Sequence, residues 1–248
     1  MHLGHNDNFD SAAGDAGQRA SRAFPPARPQ LAELFCDFRD GAAAGFALAQ
    51  IAQGGRQVLW LQERMVALET GRPFGHGCER FGCGADRLVL ACARNAGDLL
   101  WAMEEGLRCG SLAAIIGEAW ANPRALDFTA SKRLAIRAER QGVPVFLLRY
   151  NAVPDLSAAR RRWRVRALPS MPHPHDAKAP GAPCWEAELL RARDARPGTW
   201  QVRYDRAAHR LDPLPPLRDP AVEGETAGGA RGHAATAAIP IRGTARGG

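Results

Sequence analysis

Short apolar runs alternate along the chain with longer segments whose apolar residues recur every third or fourth position. The runs, at residues 34–36, 58–61, 88–91, 113–116 and 145–148, are predicted to be strands buried on both faces, as in a parallel sheet. Helices are predicted at residues 44–53 and 64–70, with two more beginning after Asp98 and Asp127. This alternation predicts βαβ units and a mainly parallel sheet flanked by helices, an α/β fold.

The pattern changes after Tyr150. Residues 162–168 alternate polar and apolar side chains, and residues 185–193 and 199–204 flank a predicted turn at Arg196-Pro197-Gly198. Two or three antiparallel strands are therefore expected at the edge of the sheet, toward the C-terminal end. Residues 1–30 and 207–248 contain few apolar side chains that could be buried in a core. We therefore predict an ordered domain at residues 31–206, with a disordered N-terminal arm before it and a disordered C-terminal tail after it.

A small-residue stretch follows the first predicted strand, in the place where a phosphate-binding loop normally occurs. It contains Gly41 and Gly45, but Phe46 and Ala47 stand where a working loop has Lys and then Ser or Thr. Asp40 stands where the first Gly would be, and its carboxylate would repel a phosphate. We interpret the stretch as a degenerate nucleotide loop. The alternative is an ordinary Gly/Ala-rich turn before a helix.

Composition and charge indicate what kind of partner the protein binds and in which compartment it is expected. The chain has 248 residues, a net charge of +7 and a pI near 9.6. This charge favours an acidic partner, nucleic acid first, although an Arg-rich proteome would give the same bias. The six Cys residues are expected to be reduced thiols, and no metal site is predicted. No apolar run approaches a membrane span, and the N-terminus lacks the apolar core of a signal peptide, so a soluble cytoplasmic protein is expected.

An arginine cluster is the main candidate binding segment. Its members are Arg160, Arg161, Arg162, Trp163, Arg164 and Arg166. On a strand, the even-numbered arginines would share one face, which could follow a nucleic-acid backbone while Trp163 stacks on a base. The alternatives are a charged edge strand with Trp163 in the core, and an edge that docks another protein.

Several stretches, taken in order, resemble the ImuA family of damage-inducible mutagenesis proteins, which are also described as SulA-like or RecA-like. The stretches are residues 58–64 (VLWLQER), 98–105 (DLLWAMEE), 113–118 (AAIIGE), 126–134 (LDFTASKRL), 142–149 (GVPVFLLR) and 162–165 (RWRV). The order of predicted elements also resembles the ATPase core of RecA, so the resemblance implies a RecA-like fold over about residues 31–204.

The resemblance also implies a role in the bacterial SOS response and translesion synthesis. The implied partners are an ImuB-like polymerase homologue, an error-prone replicative-type DNA polymerase and RecA, with DNA as a further candidate. We expect a non-catalytic accessory protein with no catalytic residues and no cofactor. The alternatives are a RecA-like ATPase with an aberrant loop and a SulA-type inhibitor of cell division.

Two acidic residues lie near positions at which a RecA-type ATPase requires an acid. The acid expected after the strand at residues 113–116 is replaced by Gly117, and Glu118 follows one place late. Glu118 is predicted to be a surface acid after the strand, and the alternative is a displaced metal-binding carboxylate. Glu63, near the position of a water-orienting Glu, is predicted to form a structural ion pair with an arginine.

Overall fold

The computed structural model describes residues 24–215, and residues 1–23 and 216–248 lie outside its described part. The strands are β1 (Leu31–Cys36), β2 (Val58–Glu63), β3 (Leu88–Ala93), β4 (Ala114–Trp120), β5 (Val145–Tyr150), β6 (Arg161–Leu168), β7 (Pro172–His173), β8 (Asp176–Pro180), β9 (Cys184–Ala192), β10 (Gly198–Asp205) and β11 (Arg210–Pro213). The helices are α1 (Ala42–Leu48), α2 (Arg64–Thr70), α3 (Gly75–Glu79), α4 (Ala96–Gly106) and α5 (Phe128–Gln141).

Within the described residues, nine strands form one sheet in the order β11-β10-β9-β6-β1-β5-β4-β2-β3, while β7 and β8 pair separately. The strands from β3 to β6 in this order are parallel, and β9, β10 and β11 continue the sheet in antiparallel pairs. The predicted α/β fold, a mainly parallel sheet with antiparallel strands toward the C-terminal end, is confirmed. The position of residues 161–168 differs from the prediction, because β6 is parallel to β1 and lies inside the sheet between β1 and β9.

Helices cover both faces of the sheet. On the first face, α1 places Phe46 and Ala47 among Leu34, Trp163 and Trp185. On the second face, α4 and α5 place Leu99, Met103 and Leu134 against Ile115, Val145 and Leu147 of the central strands. The continuous apolar runs of β1, β4 and β5 follow from this arrangement, since both faces of each central strand are buried.

The helix ends show why each helix begins where it does. Asp127 accepts a hydrogen bond from the backbone N–H of Ala130, and Gly142 ends α5 in the left-handed conformation, as the sequence predicts. The cap of α4 differs from the prediction. Asn95 is the N-cap residue, and its side chain accepts from the N–H of Asp98, which is itself in the first turn.

Three predicted positions are corrected. The strand at residues 88–91 is not buried on both faces, because β3 lies at the edge of the sheet and the side chains of Val89 and Leu90 are exposed. The sequence pattern also predicts that Phe128 faces the sheet, but 43% of its surface is exposed. The predicted helix at residues 44–53 is shorter and begins earlier, at Ala42–Leu48.

The ordered body is wider than residues 31–206. Phe24 packs against the first-face core, and Arg28 forms an ion pair with Asp194, so the stretch 24–30 is tied to the domain rather than part of a disordered arm. At the other end, β11 extends the sheet to Pro213, inside the predicted tail. The remaining parts of the predicted arm and tail, residues 1–23 and 216–248, lie outside the described residues.

Candidate functional site

The loop that leads into α1 is closed by its own carboxylate. Asp40 Oδ1 accepts a hydrogen bond from the backbone N–H of Ala42 at 2.9 Å, and Asp40 Oδ2 accepts from the N–H of Ala167 at 2.7 Å. A backbone N–H at the start of a helix is the kind of donor that binds phosphate in a working loop. Here that position already holds an anion, which also connects the loop to β6.

Phe46 and Ala47 lie in the core below the loop. Phe46 is fully buried, and its ring contacts the rings of Phe24, Trp163 and Trp185. Phe46 therefore serves core packing, since its side chain does not line the cleft above the loop. Gly45 is required for close approach, because a Cβ at this position would lie 3.0 Å from the indole of Trp185. Gly41 makes no such contact and acts as the N-cap residue of α1.

A cleft of about 590 Å³ opens beside this loop, at the carboxyl ends of the parallel strands. Its wall includes Phe38, Arg39 and Asp40 from the loop after β1, and Arg72 and Phe74 from the loop after α2. Its floor is formed by Trp60, Gln62, Glu118 and Tyr150, which come from β2, β4 and β5. The crevice at the carboxyl ends of the strands is where open α/β sheets usually bind ligands.

Glu118 is the central acidic group of the cleft floor, and it is only 2% exposed. Its Oε2 accepts a hydrogen bond from Gln62 Nε2 at 2.6 Å, and its Oε1 accepts from the hydroxyl of Tyr150 at 3.3 Å. Burial raises the pKa of Glu118 to about 7, and the hydrogen bonds from Gln62 and Tyr150 act in the opposite direction. The carboxyl group can therefore exchange a proton near neutral pH.

The prediction that Glu118 is a surface acid is wrong. β4 continues through Gly117 to Trp120 rather than ending at Ile116, so Glu118 lies inside the strand, directly opposite Gln62 of β2. Gly117 does not end the strand. It leaves room for Met103 of α4, whose Sδ would lie 2.4 Å from a Cβ at residue 117. The mainly apolar run of residues 113–120, in which Glu118 is the one charged residue, is the signal that could have placed Glu118 inside the sheet.

Glu63 also differs from its predicted role. It precedes the first residue of α2, and its Oε2 accepts a hydrogen bond from the backbone N–H of Trp120 at 3.0 Å. This bond connects the ends of β2 and β4. Within residues 24–215, no ion pair between Glu63 and an arginine is seen, so its contact is with backbone instead.

The arginine cluster does not form one exposed face. Arg161 makes a bidentate pair with Asp194, at 3.0 and 2.6 Å, and also donates to the carbonyl of Pro26. Arg162 is 7% exposed, and its Nε donates to Glu33 Oε2 at 2.7 Å. Trp163 is 1% exposed and lies in the core, as one alternative expects, but β6 is not the charged edge strand of that alternative.

The other three arginines of the cluster are also paired. Arg160 binds both carboxylate oxygens of Glu139 in α5 and holds the pKa of that carboxyl below its usual range. Arg164 and Arg166 lie opposite Glu188 and Glu186 of β9, at 2.6 and 3.8 Å. The prediction that the even-numbered arginines share one exposed face is therefore wrong. β6 is an interior strand, and its arginines form ion pairs with acidic residues of neighbouring strands.

A buried ionic cluster lies on the second face beneath Arg162. Glu33 of β1 is fully buried, and its other oxygen accepts a hydrogen bond from Ser157 at 2.7 Å. Arg149 of β5 is also fully buried and lies 3.6 Å from Glu33. The guanidinium groups of Arg149 and Arg162 both stack over the ring of Phe35. The sequence signals for this cluster are single charged residues within apolar strands, Glu33 in β1 and Arg149 in β5.

The structure provides no metal site within residues 24–215, where no group of three or more His, Cys, Asp or Glu side chains is placed to hold an ion. Cys78 and Cys83 are buried, unbridged thiols, and burial raises the pKa of Cys78 to about 11. Among the described helices, none has the length and apolar character needed to cross a membrane.

Comparison with models of known protein families finds no match. The chain is, however, similar to Protein ImuA from two strains of Caulobacter vibrioides. Each of these proteins is 32% identical to it over 189 residues, which cover 70% of this chain and 73% of the relative. This degree of identity over most of both chains means that the protein belongs to the ImuA family.

Proposed function

We propose that the protein is a non-catalytic accessory factor of damage-induced mutagenesis that acts by binding other proteins. Membership of the ImuA family supports a part in damage-inducible mutagenesis. The non-catalytic character is an inference from the loop that leads into α1.

One observation carries this inference: the Asp40 carboxylate occupies the start of α1, with hydrogen bonds to the N–H groups of Ala42 and Ala167. Phosphoryl transfer depends on positioning the phosphates and neutralising their charge. In this loop a bound nucleotide would lie next to the Asp40 carboxylate. Phe46 and Ala47 supply neither the cation nor the hydroxyl that would offset the repulsion between this carboxylate and the phosphates.

The proposed partners follow from the family resemblance. They are an ImuB-like polymerase homologue, an error-prone replicative-type DNA polymerase and RecA. A RecA-like character of the core is part of the same proposal, and the series of parallel strands followed by antiparallel strands supports it. In this scheme the protein supplies binding surfaces, and the chemistry belongs to its partners.

The alternative, a RecA-like ATPase with an aberrant loop, is favoured by the cleft of about 590 Å³ beside Asp40, with buried Glu118 on its floor. Magnesium-dependent phosphate release by purified protein separates the two. We expect no ATP turnover above background. Turnover that is lost in Glu118→Gln but retained in Glu69→Gln, a change to an exposed acid of α2, would establish the ATPase and reject our proposal.

DNA binding through the arginine cluster has its own test. If Arg164 and Arg166 bound phosphates, the double change Arg164→Ala/Arg166→Ala would flatten the dependence of log affinity on log salt by about two units. Because Glu188 and Glu186 already pair with these side chains, we expect the slope to change by less than about half a unit. Binding measured at four salt concentrations decides between the two outcomes.

A further inference from the structure

A second concave surface, with a volume of about 750 Å³, adjoins the cleft beside Asp40. Three parts of the chain form its wall: the turn after α3, the β7–β8 hairpin with the segment that follows it, and the end of β10 with the next turn. We call it the β10 groove (residues 77, 80, 81, 170, 173, 174, 180–183 and 203–207). These segments are distant in sequence, which is why no sequence motif marks the groove.

Contacts behind the β10 groove hold its wall in place. The ring of Tyr204 packs against that of Phe81, with 4.9 Å between the ring centroids. The backbone N–H of Tyr204 donates to the carbonyl of Pro183 at 3.0 Å. Gly181 donates to the carbonyl of Met171, and a Cβ at Gly181 would lie 2.3 Å from that oxygen, so only glycine allows this approach. A wall fixed in this way needs little rearrangement on binding, which lowers the cost of association.

The β10 groove carries positive charge that the protein leaves unmatched. Arg80, Arg203 and Arg206 line it, and Asp205 is the only acid in its wall among the residues that the structure describes. Within residues 24–215, the guanidinium groups of Arg80 and Arg206 form no hydrogen bond and no ion pair. Arg203 lies 3.6 Å from Asp212. By contrast, each arginine of the cluster on β6 has an acidic partner. The groove therefore offers free cations to an external anion.

Much of the remaining wall is aliphatic. It includes Pro174, Pro180, Ala182, Pro183 and Ala207. The two aromatic residues offer little surface for stacking, because Tyr204 is 3% exposed and its ring lies against that of Phe81. Sites for single-stranded nucleic acid combine cations with aromatic rings on which bases stack. Cations beside an aliphatic wall instead suit a peptide that has both acidic and aliphatic side chains.

We propose that the β10 groove binds an acidic segment of a partner protein, in which Asp or Glu residues flank an aliphatic side chain. The acids pair with Arg80 and Arg206, and the aliphatic side chain lies against the prolines and Ala182. Charge favours this occupant, since a chain with a net charge of +7 attracts acidic partners and repels a second copy of itself. The inference rests on the proposed function, in which the protein acts by binding other proteins, and it adds the chemistry of the bound segment.

Fluorescence anisotropy with the full chain at low salt tests the proposal. The probe is a short labelled peptide of Asp and Glu residues with a central leucine, and its control has Asn and Gln in place of the acids. We expect the acidic probe to bind at least about tenfold more tightly than the neutral one, with an affinity that falls as salt is added. Replacing the central leucine by glycine should weaken binding about threefold or more.

A pair of double variants tests whether the groove is the site. In Arg80→Ala/Arg206→Ala, the dissociation constant of the acidic probe should rise about tenfold, because two ion pairs with the probe are lost. Arg124→Ala/Arg140→Ala removes the same charge from exposed residues of α5 and the loop before it. This control should change the dissociation constant less than about twofold. If the first variant fails to fold, as judged by circular dichroism, Arg80→Gln/Arg206→Gln replaces it.

Hydrogen exchange locates the contact, since a saturating amount of the acidic probe should slow exchange of the Ala182, Arg206 and Ala207 amides. Equal binding of the acidic and neutral probes overturns the proposal. Equal losses in the two double variants also overturn it, because binding would then reflect net charge alone. A thymidine oligonucleotide that binds more tightly than the probe, and that depends on Arg80 and Arg206, would assign the groove to nucleic acid instead. None of these outcomes measures ATP turnover, so the groove proposal can fail while the proposed function stands.

Discussion

Asp40 shows how one residue changes the chemistry of a loop. A glycine at its position would leave the N–H groups of Ala42 and Ala167 open to an external anion. The carboxylate instead satisfies both donors from within the chain. The sequence predicts the repulsion between Asp40 and phosphate, but it gives no sign of the bond to Ala167, because that residue is distant in sequence and β6 was expected at an edge.

Glu118 makes stability depend on pH in a defined direction. Its pKa is about 7 in the folded protein and ordinarily 4.5, so the folded state holds this proton more tightly than the unfolded state. The contribution of Glu118 is therefore complete below about pH 4.5 and is lost as the pH rises through about 7.

Glu118→Gln removes this dependence, because a neutral amide replaces the carboxyl group. We expect the unfolding free energy of the variant, relative to wild type, to rise by about 2.5 kcal/mol between pH 5 and pH 8. Urea denaturation of both proteins at several pH values measures this difference in unfolding free energy. Tyr150→Phe removes a donor to the carboxylate and should move the wild-type transition to higher pH. A difference that is flat with pH would contradict the assignment.

At the scale of elements, β6 shows how an interior strand can carry several arginines. Each arginine of the cluster has an acidic partner on another element: Glu139 of α5, Asp194, Glu33 of β1, or Glu188 and Glu186 of β9. Alternation along residues 162–168 predicts a strand and places Trp163 correctly in the core. It cannot tell which arginines are buried, since their acidic partners are remote in sequence.

Arg162 and Arg166 should differ in their contribution to stability. Arg162→Met leaves the buried carboxylate of Glu33 without its closest cation, and we expect a loss of about 3 kcal/mol. Arg166, with a side chain that is 67% exposed, is the matched control, and Arg166→Met should cost less than about 0.5 kcal/mol. Chemical denaturation at neutral pH compares them. Equal costs would show that the Arg162–Glu33 pair is not a buried electrostatic contact of the folded state.

Apolar periodicity predicts elements better than it predicts their place in the sheet. The runs at β1, β4 and β5 identify central strands because both of their faces are covered. The run at β3 is equally apolar but lies at an edge, so composition alone misplaces it. The sequence pattern places Phe128 on the sheet-facing side of α5, yet it is the first residue of the helix and is partly exposed. Strand order depends on crossovers that a local pattern does not encode.

At the scale of the whole molecule, the stretch 24–30 ties the beginning of the described chain to both halves of the sheet. The ring of Phe24 contacts Phe46 of α1, Trp163 of β6 and Trp200 of β10. Pro26 and Arg28 connect the same stretch to Arg161 and Asp194. The sequence does not predict that residues 24–30 pack on the domain, because single anchoring residues leave no repeating pattern.

Phe24→Ala tests this attachment. Loss of a partly buried ring with three aromatic contacts should lower the unfolding free energy by about 2 kcal/mol. Phe74→Ala, at a 69% exposed ring beside the cleft, is the control, and it should cost less than about 0.5 kcal/mol. Thermal unfolding of both variants measures the difference. A loss no larger than that of the control would mean that the stretch does not stabilise the domain.

The place of β1 between β5 and β6 also affects how the protein is made. Of the strands that the structure describes, β1 leaves the ribosome first, but its two neighbours begin only at Val145 and Arg161. At about 5–20 residues per second, more than 100 residues of further synthesis take roughly 5 to 20 s. During that interval the apolar strand Leu31–Cys36 has neither of its final partners. The nascent chain must therefore keep its future central strand away from other chains until most of the domain has been translated.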